Sequence, residues 1–171
     1  MENLSIELRT MARQNGLCDE WFGEWSDDCS DKELFDKYKK GIDFSIKTNW
    51  LSNDFIKSHW DKNLLNENNI FVDDIGLSLD NLKRRVIING DSDITLNYDM
   101  YCVADIYIRN NSKVQINADD NCIVMVNLHD DSSVIVNSKG NSRVNIFTHS
   151  DNCKVKNIGT KEAKISIGEI F

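Results

Sequence analysis

The chain has 171 residues, of which 40% are hydrophobic and 28% charged, with a formal net charge of −8. This length and apolar content suffice to bury a core in one or two small domains, which excludes a largely disordered protein. Residues 1–80 hold 9 Lys and Arg against 17 Asp and Glu, whereas residues 81–171 hold 11 of each. Because an acidic region repels phosphate backbones, non-specific nucleic-acid binding is disfavoured.

The lack of a recognisable targeting signal and the pattern of cysteines predict a cytoplasmic protein. No apolar run is long enough to cross a bilayer, and the first residues lack the basic and then apolar profile of a signal peptide. The cysteines are odd in number and form no C-x-x-C pair, which argues against a disulfide framework and against a zinc knuckle. We therefore expect reduced thiols, no cofactor and no membrane contact. The five cysteines are Cys18, Cys29, Cys102, Cys122 and Cys153.

An acidic helical head is predicted for residues 1–75. Apolar residues recur at helical spacing from Leu4 to Ala12, which predicts a first helix over about residues 3–15, with Gly16 at its end. Ser30 and Glu33 have the spacing of a capping box, which predicts the start of a second helix. Ser52 is the expected N-cap of a third helix, which would run to about residue 65.

The segment between the first two helices mixes carboxylates with large aromatic rings. In one interpretation the acids form an acid/base pair or a cation site. In the other, which we favour, the rings belong to the core and the acids form its solvated face, because catalytic carboxylates need a desolvated cleft. The acids are Glu20, Glu24, Asp27 and Asp28, and the rings are Trp21, Phe22 and Trp25.

A twenty-residue repeat dominates the second half of the chain. The turn Gly90-Asp91-Ser92-Asp93 aligns without gaps with residues 110–113 and 130–133, and each turn is followed by a strand that ends in Asn. A second turn and a second strand complete each repeat. This pattern predicts a β-solenoid of four to five coils over residues 76–171, with a capping coil at 76–88 and the helical head capping the solenoid.

Even-numbered residues of these strands should face the interior, because side chains alternate along a strand. The predicted interior columns include Leu82, Cys102, Cys122 and Ser142, and Val86, Ile106, Val126 and Ile146. Near the end of the chain, apolar residues fall at odd instead of even positions, which predicts one inserted residue near Asn152 or Cys153. The fold class is therefore α+β, and the alternative is an antiparallel β-meander or sandwich.

The repeat resembles β-helix proteins in general. The head joined to the repeat is similar to small proteins of Bacteroidetes and their phages that combine a helical head with a short β-helix. The resemblance carries no catalytic motif. The twenty-residue period differs from the eighteen-residue coil of hexapeptide acyltransferases, and the calcium-binding nonapeptide motif does not occur.

Outward-facing residues on the second strand of each coil form the candidate partner-binding surface. Tyr, Phe, Met and Arg are enriched at the centres of protein interfaces, and a contiguous apolar patch on a surface usually marks such an interface. His129 and His149 share a column about 5 Å apart, but they supply too few ligands for a physiological metal site. The candidate residues are Val103, Tyr107, Arg109, Ile123, Met125, His129, Arg143, Phe147 and His149.

The expected function is therefore a non-catalytic module that binds a protein partner. One alternative is a phage decoy or counter-defence protein that inhibits a host protein or binds a nucleotide signal. Another is a carbohydrate-binding or carbohydrate-active β-helix. The chain stops at Gly168-Glu169-Ile170-Phe171, two of which are apolar, and this predicts weak self-association through the last coil.

Overall fold

A computed structural model describes residues 3–168 of the chain. The structure divides into two compact units between His59 and Trp60. The first unit is helical, and every strand within residues 3–168 lies in the second. The head boundary expected at residue 75 thus lies inside the second unit.

Short helices build the first unit. The predicted first helix is confirmed, because α1 begins after Asn3, whose side chain accepts a hydrogen bond from the amide of Ser5. The capping box of Ser30 and Glu33 is also confirmed at the start of α3. The helices of this unit are α1 (Leu4–Gln14), α2 (Asp19–Gly23), α3 (Asp31–Lys40), α4 (Ile42–Thr48) and α5 (Asn53–His59).

The single third helix predicted after Ser52 is wrong. The segment forms α5 and then a separate helix, α6 (Lys62–Glu67), which belongs to the second unit. Asp61 interrupts the helical path with an extended backbone, and its carboxylate accepts a hydrogen bond from the amide of Asn63 to start α6. An N-cap residue restarts a helix because it satisfies an otherwise unpaired amide.

Tryptophans hold the core of the helical unit together. Trp25 and Trp50 pack edge to face with ring centroids 5.6 Å apart. Their indole N–H groups donate to Ser5 Oγ at 3.1 Å and to the carbonyl of Leu8 at 3.2 Å. Both ring nitrogens are thus satisfied while the rings are buried, which lets helices of this length share one stable core.

The second unit is a parallel β-solenoid of about five coils, with roughly 20 residues in each coil. Successive strands alternate between two sheets, ordered β1-β3-β5-β7-β9-β11 and β2-β4-β6-β8-β10. All strand pairs within residues 3–168 are parallel, so the antiparallel meander is wrong. The strands are β1 (Ile70–Val72), β2 (Ile75–Asp80), β3 (Arg84–Asn89), β4 (Asp93–Tyr98), β5 (Val103–Ile108), β6 (Lys113–Ala118), β7 (Ile123–Leu128), β8 (Ser133–Ser138), β9 (Arg143–Thr148), β10 (Lys154–Asn157) and β11 (Lys164–Ile167).

Even-numbered residues fill the interior of the regular coils, as predicted. Ile106, Val126 and Ile146 pair in register along neighbouring strands and are each 0% exposed. Polar ladders accompany this apolar core on the other sheet. The side-chain amide of Asn117 donates to Asn97 Oδ1 at 2.8 Å, and that of Asn137 donates to Asn117 Oδ1 at 3.3 Å.

The repeated turn links one coil to the next through its first residue. Gly90, Asn110 and Asp130 all have positive φ, which Gly, Asn and Asp tolerate best. The amide of Gly90 donates to Asn110 Oδ1, and the amide of Asn110 donates to Asp130 Oδ2, both at 2.9 Å. At Gly90 a Cβ would meet the carboxylate of Asp73, so a larger residue there would displace that side chain.

The two ends of the solenoid differ from its regular coils. At the first end, α6 contacts β1, and the Nζ of Lys62 lies 2.9 Å from Oδ1 of the buried Asp74. At the other end, Lys154 pairs with Ser133 where a strict repeat would place Cys153, so the predicted one-residue insertion is confirmed. Asn157 consequently pairs with Val136 and does not continue the Asn ladder.

Truncation of one interior column should destabilise the whole solenoid. We expect Ile106→Ala to lower the free energy of unfolding by about 2–5 kcal/mol, because it leaves a cavity between two neighbouring coils. Lys113→Ala, at an exposed position of β6, should change it by less than about 0.5 kcal/mol. Urea unfolding followed by circular dichroism measures both, and equal effects would contradict the stacked-core arrangement.

Candidate functional site

All nine expected partner-binding residues lie on the outward face of the six-stranded sheet, on or just after β5, β7 and β9. Their exposure divides them into two groups. Tyr107, Arg109 and His129 are buried, at 8%, 6% and 4% exposure. Phe147 and His149, in the neighbouring coil, are partly buried. The remaining four lie toward the amino ends of the strands, where Val103, Met125 and Arg143 are exposed and Ile123 is partly exposed.

The buried group contains a stack of rings, formed by Tyr107, His129 and His149. The two imidazoles lie with centroids 4.2 Å apart and planes inclined by 9°. The Tyr107 ring is nearly parallel to that of His129 at 6.4 Å, and the guanidinium of Arg85 covers it at 5.2 Å. The predicted proximity of the two histidines is therefore confirmed, because residues one coil apart stack directly.

Burial keeps His129 neutral. The pKa of the His129 imidazole is lowered to about 4. Burial is the largest cause, and the nearby His149 and Arg109 lower the pKa further. His129 Nε2 is buried and, within the described part of the chain, has no hydrogen-bond partner. Parallel imidazoles point their nitrogen lone pairs within their own planes, so a face-to-face pair is poorly arranged to share a metal ion. Within residues 3–168, no three His, Cys, Asp or Glu side chains are grouped to hold one.

The exposed group extends beyond the predicted residues. Val103, Ile123 and Arg143 pair in register on three adjacent strands, and Met125 lies beside them on β7. Tyr101 precedes this column in the turn before β5 and is 81% exposed. We call Tyr101, Val103, Ile123, Met125 and Arg143 the amino-end patch.

A groove borders the amino-end patch and is lined by three of its residues. It has a volume of about 390 Å³. Two cationic side chains, two amides, one phenol ring and one aliphatic side chain line it. These residues are Tyr101, Asn121, Ile123, Asn141, Arg143 and Lys161.

Four of these six residues, Tyr101, Asn121, Asn141 and Lys161, escaped the sequence prediction. Tyr101 lies in a turn, outside the alternation of strand residues, although its column at twenty-residue spacing continues with Asn121 and Asn141. The sequence does hold a signal for Tyr101, because an aromatic residue occupies a turn position that is asparagine in the next two coils. Lys161 follows the inserted residue, so the repeat could not align it with the groove.

The interior cysteines behave as the strand parity predicts. Cys102 and Cys122 are 5% and 0% exposed. Burial raises the pKa of both thiols, that of Cys122 to about 11. A protonated, enclosed thiol is a poor nucleophile, so neither residue is suited to covalent chemistry.

The carboxylates between α1 and α3 are exposed and engage polar or cationic neighbours. Glu24 Oε2 lies 3.1 Å from Nζ of Lys40, Asp27 pairs with Arg9, and Asp28 accepts a hydrogen bond from Ser26. Glu20 is also exposed. The structure thus places these acids at the surface and does not bring them together in a desolvated cleft.

Trp21 and Trp25, beside these acids, line a pocket of about 310 Å³ in the helical unit. Trp25 is buried, whereas Trp21 and Phe22 are partly buried. Lys40 Nζ lies 4.9 Å from the Trp21 ring centroid and Lys37 Nζ lies 5.4 Å from that of Trp25. The chain's own lysines therefore already supply the cations that these rings attract.

The imidazole of His129 should make the protein sensitive to mild acid. The unfolded state binds a proton on His129 near pH 6.5, whereas the folded state resists it until about pH 4. Stability should therefore be lost as the pH falls from about 6.5 toward 4, by about 1–3 kcal/mol from this residue.

Urea unfolding at about pH 7 and about pH 5 tests this expectation. His129→Gln should reduce the pH-dependent part of the change, whatever it does to stability at neutral pH. His59→Gln, at an exposed position of α5, is the matched control. An unchanged pH slope in His129→Gln would contradict the neutral buried imidazole.

No family model, curated protein or solved structure matches the chain. Among the helices that the structure describes, none is long and apolar enough to cross a membrane. The geometry of the outward face is therefore the basis for a functional proposal.

Proposed function

We propose that this protein is a non-catalytic binding module that engages a protein partner through the amino-end patch. The observation that supports the proposal is a group of neighbouring exposed apolar side chains on β5 and β7 beside an exposed tyrosine and arginine. Val103 is 52% exposed and Met125 is 36% exposed. Interface centres are enriched in Tyr, Met and Arg, and the groove lined by Tyr101, Ile123 and Arg143 of the patch offers a concave site for an anchor residue of the partner.

The contrast with the five-stranded sheet supports the choice of surface. Its outward residues on β4, β6 and β8 include Thr95, Gln115 and Ile135. Of these, Ile135 is an exposed apolar side chain, at 37% exposure. It therefore matches Met125 in exposure but lies on the opposite sheet, and it offers a control for nonspecific hydrophobic binding.

A non-enzymatic role fits the chemistry of the buried groups. His129 is neutral and enclosed, and burial raises the pKa of the interior thiols. Side chains in these states are poor acids, bases or nucleophiles at neutral pH.

The five free cysteines favour a reducing compartment, and we propose the cytoplasm. A decoy that occupies a host protein would use the same surface, so the same experiment tests it.

Substitutions in the amino-end patch should abolish partner binding without unfolding the chain. We expect Val103→Ala, Met125→Ala and Arg143→Ala each to weaken binding by about 1–4 kcal/mol, while the melting temperature stays nearly unchanged. Affinity capture from the native host, with quantitative mass spectrometry, identifies proteins that the wild type retains and the triple variant loses. The affinity of each purified candidate is then measured with single variants.

Ile135→Ala provides the matched control for this experiment. It removes a similar exposed apolar group from the opposite sheet and should leave capture unchanged. If the triple variant captures the same proteins as the wild type, the amino-end patch is not the binding surface. If the triple variant loses its cooperative thermal transition, the patch has a structural role and the proposal is also wrong.

An acidic saccharide is a second candidate ligand, favoured by the groove itself. Tyr101 offers an exposed ring face, Asn121 and Asn141 offer amides, and Arg143 and Lys161 offer positive charge. Oligosaccharides of uronic acids should then bind with an affinity that falls at high salt, and Tyr101→Ala and Lys161→Gln should weaken it. Calorimetric titration with neutral oligosaccharides of equal length is the control. Equal binding of both sugars, or of neither, would contradict this candidate.

A further inference from the structure

Among residues 3–168, the last coil of the solenoid presents an open pair of edge strands. β10 and β11 stand at the ends of their sheets and are each bonded to one neighbour, β8 and β9. The amide of Gly168 donates to the carbonyl of Thr148, so the backbone groups of Lys164, Ser166 and Gly168 face β9. Strand alternation then turns those of Ile165 and Ile167 away from β9, toward the open side.

The side chains of β11 that face the core are apolar. Ile165 pairs with the fully buried Ile146, and Ile167 pairs with Thr148. Both isoleucines continue interior columns, yet they are 55% and 85% exposed. One further strand, in register with β11, would cover them as each coil covers the coil before it.

The charge of the last coil distinguishes it from the rest of the molecule. Residues 153–168 hold four lysines and one acid in a chain whose net charge is −8. Lys164 precedes Ile165 on β11 and is exposed, as are Lys154 and Lys156 on β10. Lysines at an edge strand repel a second identical edge, which opposes pairing between two copies of this coil. The same lysines attract an acidic strand.

We propose that β11 binds an extended acidic segment of a protein partner as an added β-strand. Alternate apolar residues of that segment would lie over Ile165 and Ile167. Its acidic residues would lie on the outward side, beside Lys164. Main-chain hydrogen bonds to Ile165 and Ile167 would supply affinity, and the alternation of apolar and acidic residues would supply specificity. This surface is separate from the amino-end patch and does not depend on the function proposed there.

A synthetic peptide that alternates Glu and Val, labelled with fluorescein, tests the proposal. Fluorescence anisotropy should show that it binds the intact chain more tightly at low salt than at high salt. A peptide that alternates Lys and Val, and one in which all Glu residues precede all Val residues, should bind at least about tenfold more weakly. Slower hydrogen exchange at the amides of Ile165 and Ile167 in the presence of the first peptide would locate it on β11.

Two variants separate backbone pairing from charge attraction. Ile167→Pro removes an amide that faces the open side and leaves the bonds to β9 in place, so it should weaken binding about tenfold, the equivalent of one lost hydrogen bond. Lys164→Glu should reverse the preference between the Glu and Lys peptides. Lys113→Glu makes the same charge change at an exposed position of β6 and should preserve the wild-type preference.

Three results would overturn the proposal. The first is equal binding of the three peptides, which would indicate nonspecific attraction. The second is unchanged binding by Ile167→Pro while its thermal transition is retained. The third is a concentration-dependent dimer in light scattering that protects the same amides without peptide, which would assign this edge to a second copy of the chain. The self-association expected through residues 168–171 stays a prediction, because Glu169, Ile170 and Phe171 lie outside the described residues.

Discussion

Parallel backbone pairing places each residue of the regular coils directly beside the residue twenty positions earlier in the chain. This register decides which side chains meet. Interior residues stack on interior residues, so Val126 lies between Ile106 and Ile146, and the Asn side chains of the other sheet hydrogen-bond in a ladder. A change at one position of a column is therefore felt by two neighbouring coils at once, and a single inserted residue shifts the pairing of the next strand.

The same constraint explains the unusual environment of His129. The residue after β7 must lie beside the residues after β5 and β9, which brings an imidazole between Arg109 and His149. Two cationic side chains would repel in such a column, and burial removes the water that would screen them. A neutral His129 avoids this repulsion. The stacked histidines therefore belong to the structural part of the outward face, and the exposed amino-end patch is the part available to a ligand.

Two surfaces of the solenoid are candidates for binding, and they offer different chemistry. The amino-end patch is a side-chain surface, in which neighbouring apolar side chains adjoin a tyrosine and an arginine. The edge of β11 is a main-chain surface, in which alternate amides and two isoleucines accept a strand while Lys164 selects its charge. A protein that used both could hold a folded domain on its side and an extended segment at its end, because the two surfaces share none of their defining residues.

The sequence by itself determined the repeat, the parity of the strands and the position of the inserted residue, because each is a relation between residues at fixed spacing. The capping box of α3 was predictable for the same reason, since Ser30 and Glu33 are local partners. The sequence did not predict that the nine outward-facing residues divide into a buried and an exposed group. Tyr107 and Val103 both face outward on β5, yet one is 8% exposed and the other 52%. Parity assigns a side chain to a face of the sheet, but its burial also depends on how the side chains of adjacent coils are oriented, as Arg85 and His129 are against Tyr107. Only the tertiary structure could decide which outward residues remain accessible, because side-chain orientation is not a relation between residues at fixed spacing.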